Sequence, residues 1–226
     1  MLHQKFITKK TYQTCGLLAT LLLPAAISAA EIAVGPTLGT RGGGIDLTFP
    51  LRENLGLRAT VAGFEYGRGF DEAGVHYDGD MRLATGGLIL DWYPSTTSFR
   101  LSLGALYNGN QLKARGTGSG DSNIKIGNNS YDVSNESLSG NIKWKAAAPF
   151  LGLGWGRPSK SQGWHFGFEV GAIYTGKPTA TLSASEGLHA QQGFDADLAA
   201  EEKELNDSLS KATFWPVIQL QVQYRF

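Results

Sequence analysis

The groups that could do chemistry in this sequence are few. One cysteine, Cys15, and four histidines occur in 226 residues. A single cysteine excludes an internal disulfide framework and any multi-cysteine zinc site. His76, followed by Asp78 and Asp80, has the residue types for a metal site or for a general base with an orienting carboxylate. A metal would need more ligands in a defined geometry, and a loop histidine beside aspartates is a generic spacing. His165 opens an alternating segment, and His189 lies in a polar loop without a nearby nucleophile motif. No nucleophile, base and orienter can be assembled, so the expectation is no enzyme, no catalytic or metal residues and no cofactor. No phosphate loop or dinucleotide fingerprint stands in strand-then-helix context.

A second set of charged residues is placed more regularly. Asp46, Arg58, Asp91, Arg100, Glu169 and Arg225 each stand at a polar position of an alternating segment. Phe99, Leu101, Leu103, Ala105 and Tyr107 alternate with Arg100, Ser102, Gly104 and Asn108 in most positions. Trp164 to Tyr174 and Ile218 to Phe226 repeat the pattern. Alternation of this kind makes strands with one apolar and one polar face. Runs of about ten residues suit a bilayer crossing at a tilt near 45°. Strands are expected near 31–39, 43–51, 54–66, 82–93, 98–109, 141–156, 163–176 and 212–226. The fold class this predicts is all-β, an eight-stranded antiparallel up-and-down transmembrane β-barrel with long extracellular loops. The charged set then faces a lumen only wide enough to be filled by side chains, where charges must pair.

Composition agrees with this wall. The chain is 18% charged and has 30 glycines, against a typical charged fraction of about 25%. Twenty basic and twenty acidic residues cancel, so no basic excess points to nucleic acid. Lys5, Lys9 and Lys10 precede an apolar stretch from Gly16 to Ile27, and Ser28, Ala29 and Ala30 follow. These are the three regions of a secretory signal peptide, with cleavage expected after Ala30 and a barrel domain over 31–226. The mature chain would have 17 basic and 20 acidic residues and no cysteine.

Aromatic residues at strand ends suggest girdles: Tyr66, Tyr107 and Tyr174 outside, and Phe49, Trp92, Phe99, Trp164, Tyr224 and Phe226 inside. Tyr224 and the terminal Phe226 look like the signal read by the barrel assembly machinery. A bulge near Pro149 is expected to switch the faces of the sixth strand. Loop 110–140, rich in Gly, Ser and Asn, is expected to be mobile or glycan-facing. Loop 177–211 should carry one short helix, with Asp195 or Asp197 as cap and Leu198, Leu205 and Leu209 on one face.

The segments APFLGLGWG (148–156), GWHFGFEVGAIYTGKP (163–178), DLAAEE (197–202) and WPV (215–217) occur in this order. They resemble the CarO-like family of carbapenem-susceptibility, or ornithine-uptake, porins. The resemblance implies an eight-stranded barrel in a Gram-negative outer membrane, among lipid and lipopolysaccharide, passing basic amino acids such as ornithine. Porin-like passage of small polar or cationic solutes is therefore the first functional expectation. The alternative is a non-conducting structural or surface-interaction barrel, its lumen sealed by the charged set.

Overall fold

The computed structural model describes residues 32–72, 74–94, 97–120, 122–156 and 162–226. The expected signal peptide (1–30), and most of the turn expected at 157–162, lie outside the described residues.

Among the described residues, two-residue periodicity becomes thirteen strands, with a helix of 4 residues and one of 16 near the C-terminal end. The strands are β1 (Ala33–Gly39), β2 (Gly42–Arg52), β3 (Leu55–Glu72), β4 (Val75–Trp92), β5 (Phe99–Asn108), β6 (Gln111–Gly118), β7 (Asn123–Ile126) and β8 (Asn129–Asp132). There follow β9 (Ser137–Lys143), β10 (Ala147–Trp155), β11 (Gly163–Tyr174), β12 (Thr179–Ala184), α1 (Glu186–His189), α2 (Phe194–Leu209) and β13 (Phe214–Arg225). Antiparallel pairing passes from β4 through β3, β2, β1, β13, β11 and β10 to β5. β5 then pairs back onto Thr85–Trp92 of β4, so the pairings return to the strand where they began. The outer half of β4 carries a second branch, β6, β9 and β12.

Within the returning set of strands, polarity is the reverse of a soluble core. Asp46, Arg58, Asp91, Arg100 and Glu169 are buried, whereas Leu38, Val61, Leu103, Leu151, Trp164, Phe166 and Leu220 are exposed. Phe166 reaches 73% exposure while Glu169, on the same strand, has none. Such a strand has its stable apolar face only against lipid or another apolar surface.

The branch has ordinary polarity. Its buried cluster is Val75, Ile126, Tyr131, Val133, Leu188, Phe194 and Leu198. One face of β4, β6, β9 and β12 supplies the floor of this cap; the β7–β8 hairpin and the two helices cover it.

Several expectations need correction. The strand count is thirteen among the described residues, because β6 to β9 and β12 form where loops 110–140 and 177–211 are expected, while 67–81 lengthens β3 and β4. Loop 110–140 is an ordered part of the cap. Two helices replace the single one, and α2 is preceded by Gly193 at φ +84° with no side-chain cap; Asp195 and Asp197 lie in its first turn. Leu198 is buried and Leu205 and Leu209 are half-buried, as one face of the helix requires. Pro149 causes no bulge, since register runs unbroken from Ala147↔Tyr107 to Trp155↔Phe99. The chain instead leaves the wall between Lys143 and Ala147, where β9 ends and β10 begins. Lys143 and Lys145 are therefore exposed near that exit. Tyr66 does not share the outward side of Tyr107 and Tyr174. Register is continuous from Leu55 to Glu72, and eight residues of strict alternation give Tyr66 the parity of Arg58.

Candidate functional site

The polar interior is built around Arg58, which β3 presents at its buried face. Arg58 Nε and Nη2 donate to the two carboxylate oxygens of Asp91 on β4, at 2.9 and 3.0 Å. Its Nη1 reaches Glu169 on β11 at 3.1 Å and Asp46 on β2 at 3.4 Å. One planar guanidinium thus ties four strands, a task suited to its fork of donors. Arg100 on β5 donates to the Gly156 carbonyl at 2.8 Å and to Gln221 Oε1 at 2.6 Å, with Glu169 at 3.5 Å. Ser102 donates to Asp91 and Thr60 to Asp46, both at 2.6 Å. A Cβ at Gly154 would lie 2.7 Å from Arg100 Nε, so the glycine makes room for the guanidinium against the wall.

Five of the six residues expected in the polar cluster converge: Asp46, Arg58, Asp91, Arg100 and Glu169. The sixth, Arg225, is buried but stands four residues beyond Gln221 on β13, level with Ala33 and Gly163. The cation that joins the cluster is Arg41, from the two-residue turn between β1 and β2; its Nη1 donates to Thr60 Oγ1 at 3.2 Å. In the sequence this residue falls between the strands expected at 31–39 and 43–51. Charge balance gave no signal for it, because the six expected residues, three acids and three arginines, already cancel.

A second, apolar layer lies beside the charged one. Ile89, Leu106, Ala148, Phe150, Ile173 and Val217 form a buried cluster with Trp215 packed against it. They occupy positions of inward parity, towards the cap from Asp91, Arg100, Glu169 and Gln219 on their strands. Their signal in the sequence is local loss of alternation: Leu88–Ile89–Leu90, Ala105–Leu106–Tyr107 and Ala172–Ile173–Tyr174 are each apolar throughout. Together the layers fill the interior with paired charges and close apolar contacts.

His76 and His189 are exposed in the outer half, whereas His165 is half-buried near the opposite end of β11, level with Gln223. His76 Nδ1 lies 2.6 Å from Asp71 and Nε2 lies 3.4 Å from Asp78, and the Asp71 contact holds its pKa above the ordinary value. Among the described residues no group of three or more His, Cys, Asp or Glu could hold a metal ion. At the chain end, Phe226 is half exposed and stacks edge-on with Tyr224, which meets Trp164 in the same way. Tyr107, Tyr174 and Phe214 are exposed at the opposite ends of their strands.

The cap is closed by polar clamps over its apolar centre. Asp197 of α2 accepts from Tyr131 and Asn129 at 2.6 Å each, and these two bonds hold its carboxyl below the ordinary range. Asn206 and Glu202 of α2 occupy the backbone groups of Ala180 and Leu182 on β12. A cavity of about 580 Å³ remains beside this core, between β6 and β9 on one side and Ile124 and Leu205 on the other.

Apolar outside, charged inside, with antiparallel strands whose pairing returns to its start, the chain has the physical character of a membrane-embedded β protein. No helix among the described residues is long and apolar enough to cross a membrane. Its fold is that of two crystal structures from Acinetobacter baumannii. CarO2 aligns with a TM-score of 0.57 and 23% identity, and CarO with 0.55 and 22%; each alignment covers 87% of this chain and 98% of the other. No protein-family model matches the sequence. No curated protein matches it either.

Proposed function

We propose that this chain is an exported, CarO-like outer-membrane β-barrel that does not conduct, and that holds an ordered cap at the cell surface. The eight strands β1–β5, β10, β11 and β13 are its closed transmembrane wall, with lipid and lipopolysaccharide against the exposed apolar face. Residues 1–30 direct export, and Tyr224 and Phe226 present the end of β13 to the assembly machinery. No catalytic step belongs to this reading. The observation that carries it is the filled interior: Arg58 binds three carboxylates, and the Phe150 layer lies above them. An eight-stranded wall has no spare width beyond such a filling.

Porin-like passage of small polar or cationic solutes, ornithine among them, is the second reading. It is favoured by α2, whose acids Asp195, Asp197, Glu201, Glu202, Glu204 and Asp207 outnumber Lys203 and would concentrate cations. Uptake into liposomes containing the purified protein separates the two. Ornithine, lysine and neutral sugars should enter no faster than into empty liposomes; uptake above that background would overturn the sealed barrel.

A further inference from the structure

The cap sheet has two lateral edges, and only one is covered. At β12, Asn206 and Glu202 satisfy the outward backbone groups of Ala180 and Leu182, as described above. At the other side, β2 stops pairing with β3 at Gly43↔Gly63. From 64 to 72, β3 pairs only with β4 among the described residues, and every residue from 63 to 72 is exposed. A row of unpaired N–H and C=O groups on a strand this long is a template for another strand.

The two faces of this edge differ in chemistry. Phe64, Tyr66 and Phe70 share one face, where Phe70 stacks on Tyr77 with ring centres 5.2 Å apart. Alternation puts Glu65 and Asp71 on the other face, separated by Gly67 and Gly69. The aspartates of β4 lean over those glycines: a Cβ at Gly67 would lie 2.7 Å from Asp80 Oδ1, and one at Gly69 would lie 3.1 Å from Asp78 Oδ1. Across the hairpin from 64 to 82, five acids (Glu65, Asp71, Glu72, Asp78 and Asp80) outnumber Arg68, Arg82 and His76; Arg82 pairs with Glu65 at 3.2 Å, and His76 lies between Asp71 and Asp78. Lys113 and Arg115 lie one strand further from the edge, opposite Asp80 and Asp78.

We propose that the edge of β3 from 64 to 72 is a strand-addition site for a partner polypeptide. The segment it accepts is extended, with aromatic or aliphatic residues alternating with lysine or arginine. Main-chain hydrogen bonds to the open edge supply affinity. Alternate side chains then meet the Phe64–Tyr66–Phe70 face on one side and the carboxylates on the other. A second copy of the same edge fits poorly, because Glu65, Asp71 and Glu72 would face their own counterparts.

The test uses the full purified protein in detergent micelles and a fluorescent nine-residue peptide alternating Val or Phe with Lys. Saturable, salt-sensitive binding is expected, with the matching Glu peptide weaker by about tenfold or more. Tyr66→Lys/Phe70→Lys should abolish binding, because inward-pointing lysines blunt an edge. Glu65→Lys/Asp71→Lys should transfer the preference to the Glu peptide. Heat-dependent gel mobility and proteolytic resistance of the cap, both identical to the parent, certify that each variant is folded in wall and cap. Absence of saturable binding, unchanged binding by the Tyr66→Lys/Phe70→Lys variant, or edge-dependent dimerisation of the parent in sedimentation would each overturn the proposal.

Discussion

β4 passes through two environments and obeys opposite rules in them. Between Thr85 and Trp92 its buried face carries Thr85, Ile89 and Asp91, and Leu88, Leu90 and Trp92 are exposed. Between Val75 and Asp78 the same strand buries Val75 in an apolar cluster, and His76 and Asp78 are exposed. Nothing in the backbone changes between the halves, since register with β3 is unbroken. The difference lies in what covers each side. Paired charges are tolerated inside the wall because each carboxylate meets a guanidinium, whereas the cap gains its order from apolar contacts beneath α2. Stability in the two regions should therefore respond to different substitutions.

The largest effect is expected in the wall. Arg58→Ala removes the partner of three buried carboxylates and should destabilise the barrel by about 3–5 kcal/mol, read as the shift in its heat- or denaturant-induced loss of compact gel mobility. Proteolytic resistance of the cap should stay at the parental level in the folded fraction; a joint loss would show that the two regions form one cooperative unit. Phe194→Ala tests the reverse. It removes a fully buried ring that meets Tyr131 edge-on, at a cost of about 3 kcal/mol within the cap, while the barrel's mobility shift persists. Gly154→Ala is smaller, about 1–3 kcal/mol, because Arg100 must move away from the wall.

Smallest is the pH response of the clamp between α2 and the β7–β8 hairpin. Asp197 has a folded pKa below the aspartate reference of 3.8, owing first to Tyr131 and then to Asn129. Its contribution is complete above that reference and is lost as pH falls through the lowered value. Hydrogen exchange of α2 should thus be unchanged by moderate acid and accelerate only below the ordinary aspartate range. In Tyr131→Phe the acceleration should begin at higher pH; identical profiles would remove this bond from the account of the cap.

The wall was readable in the sequence because each of its strands buries one face, which imposes period two. β5, β11 and β13 lie within three residues of their expected ranges, and five of the six charges of the regular set lie in one network. The cap was not readable for a physical reason. β6 places Leu112, Ala114, Gly116 and Gly118 on its inner side, where small residues and glycine give almost no apolar contrast. β7 and β8 have four residues each, too few to show a period. Arg41 was missed because a turn residue has no parity to follow, and its side chain reaches into the wall from outside the strand pattern. Tyr66 was misplaced by reading its type, a girdle aromatic, before its parity relative to Arg58.

The central claim is that charge pairing and the Phe150 layer close the interior of this barrel. Planar-bilayer recording of the purified protein at high salt tests it most directly. The parent should insert without discrete conductance steps at moderate voltage. Stable open-channel steps from the parent, at a frequency proportional to the protein inserted, would contradict a closed lumen.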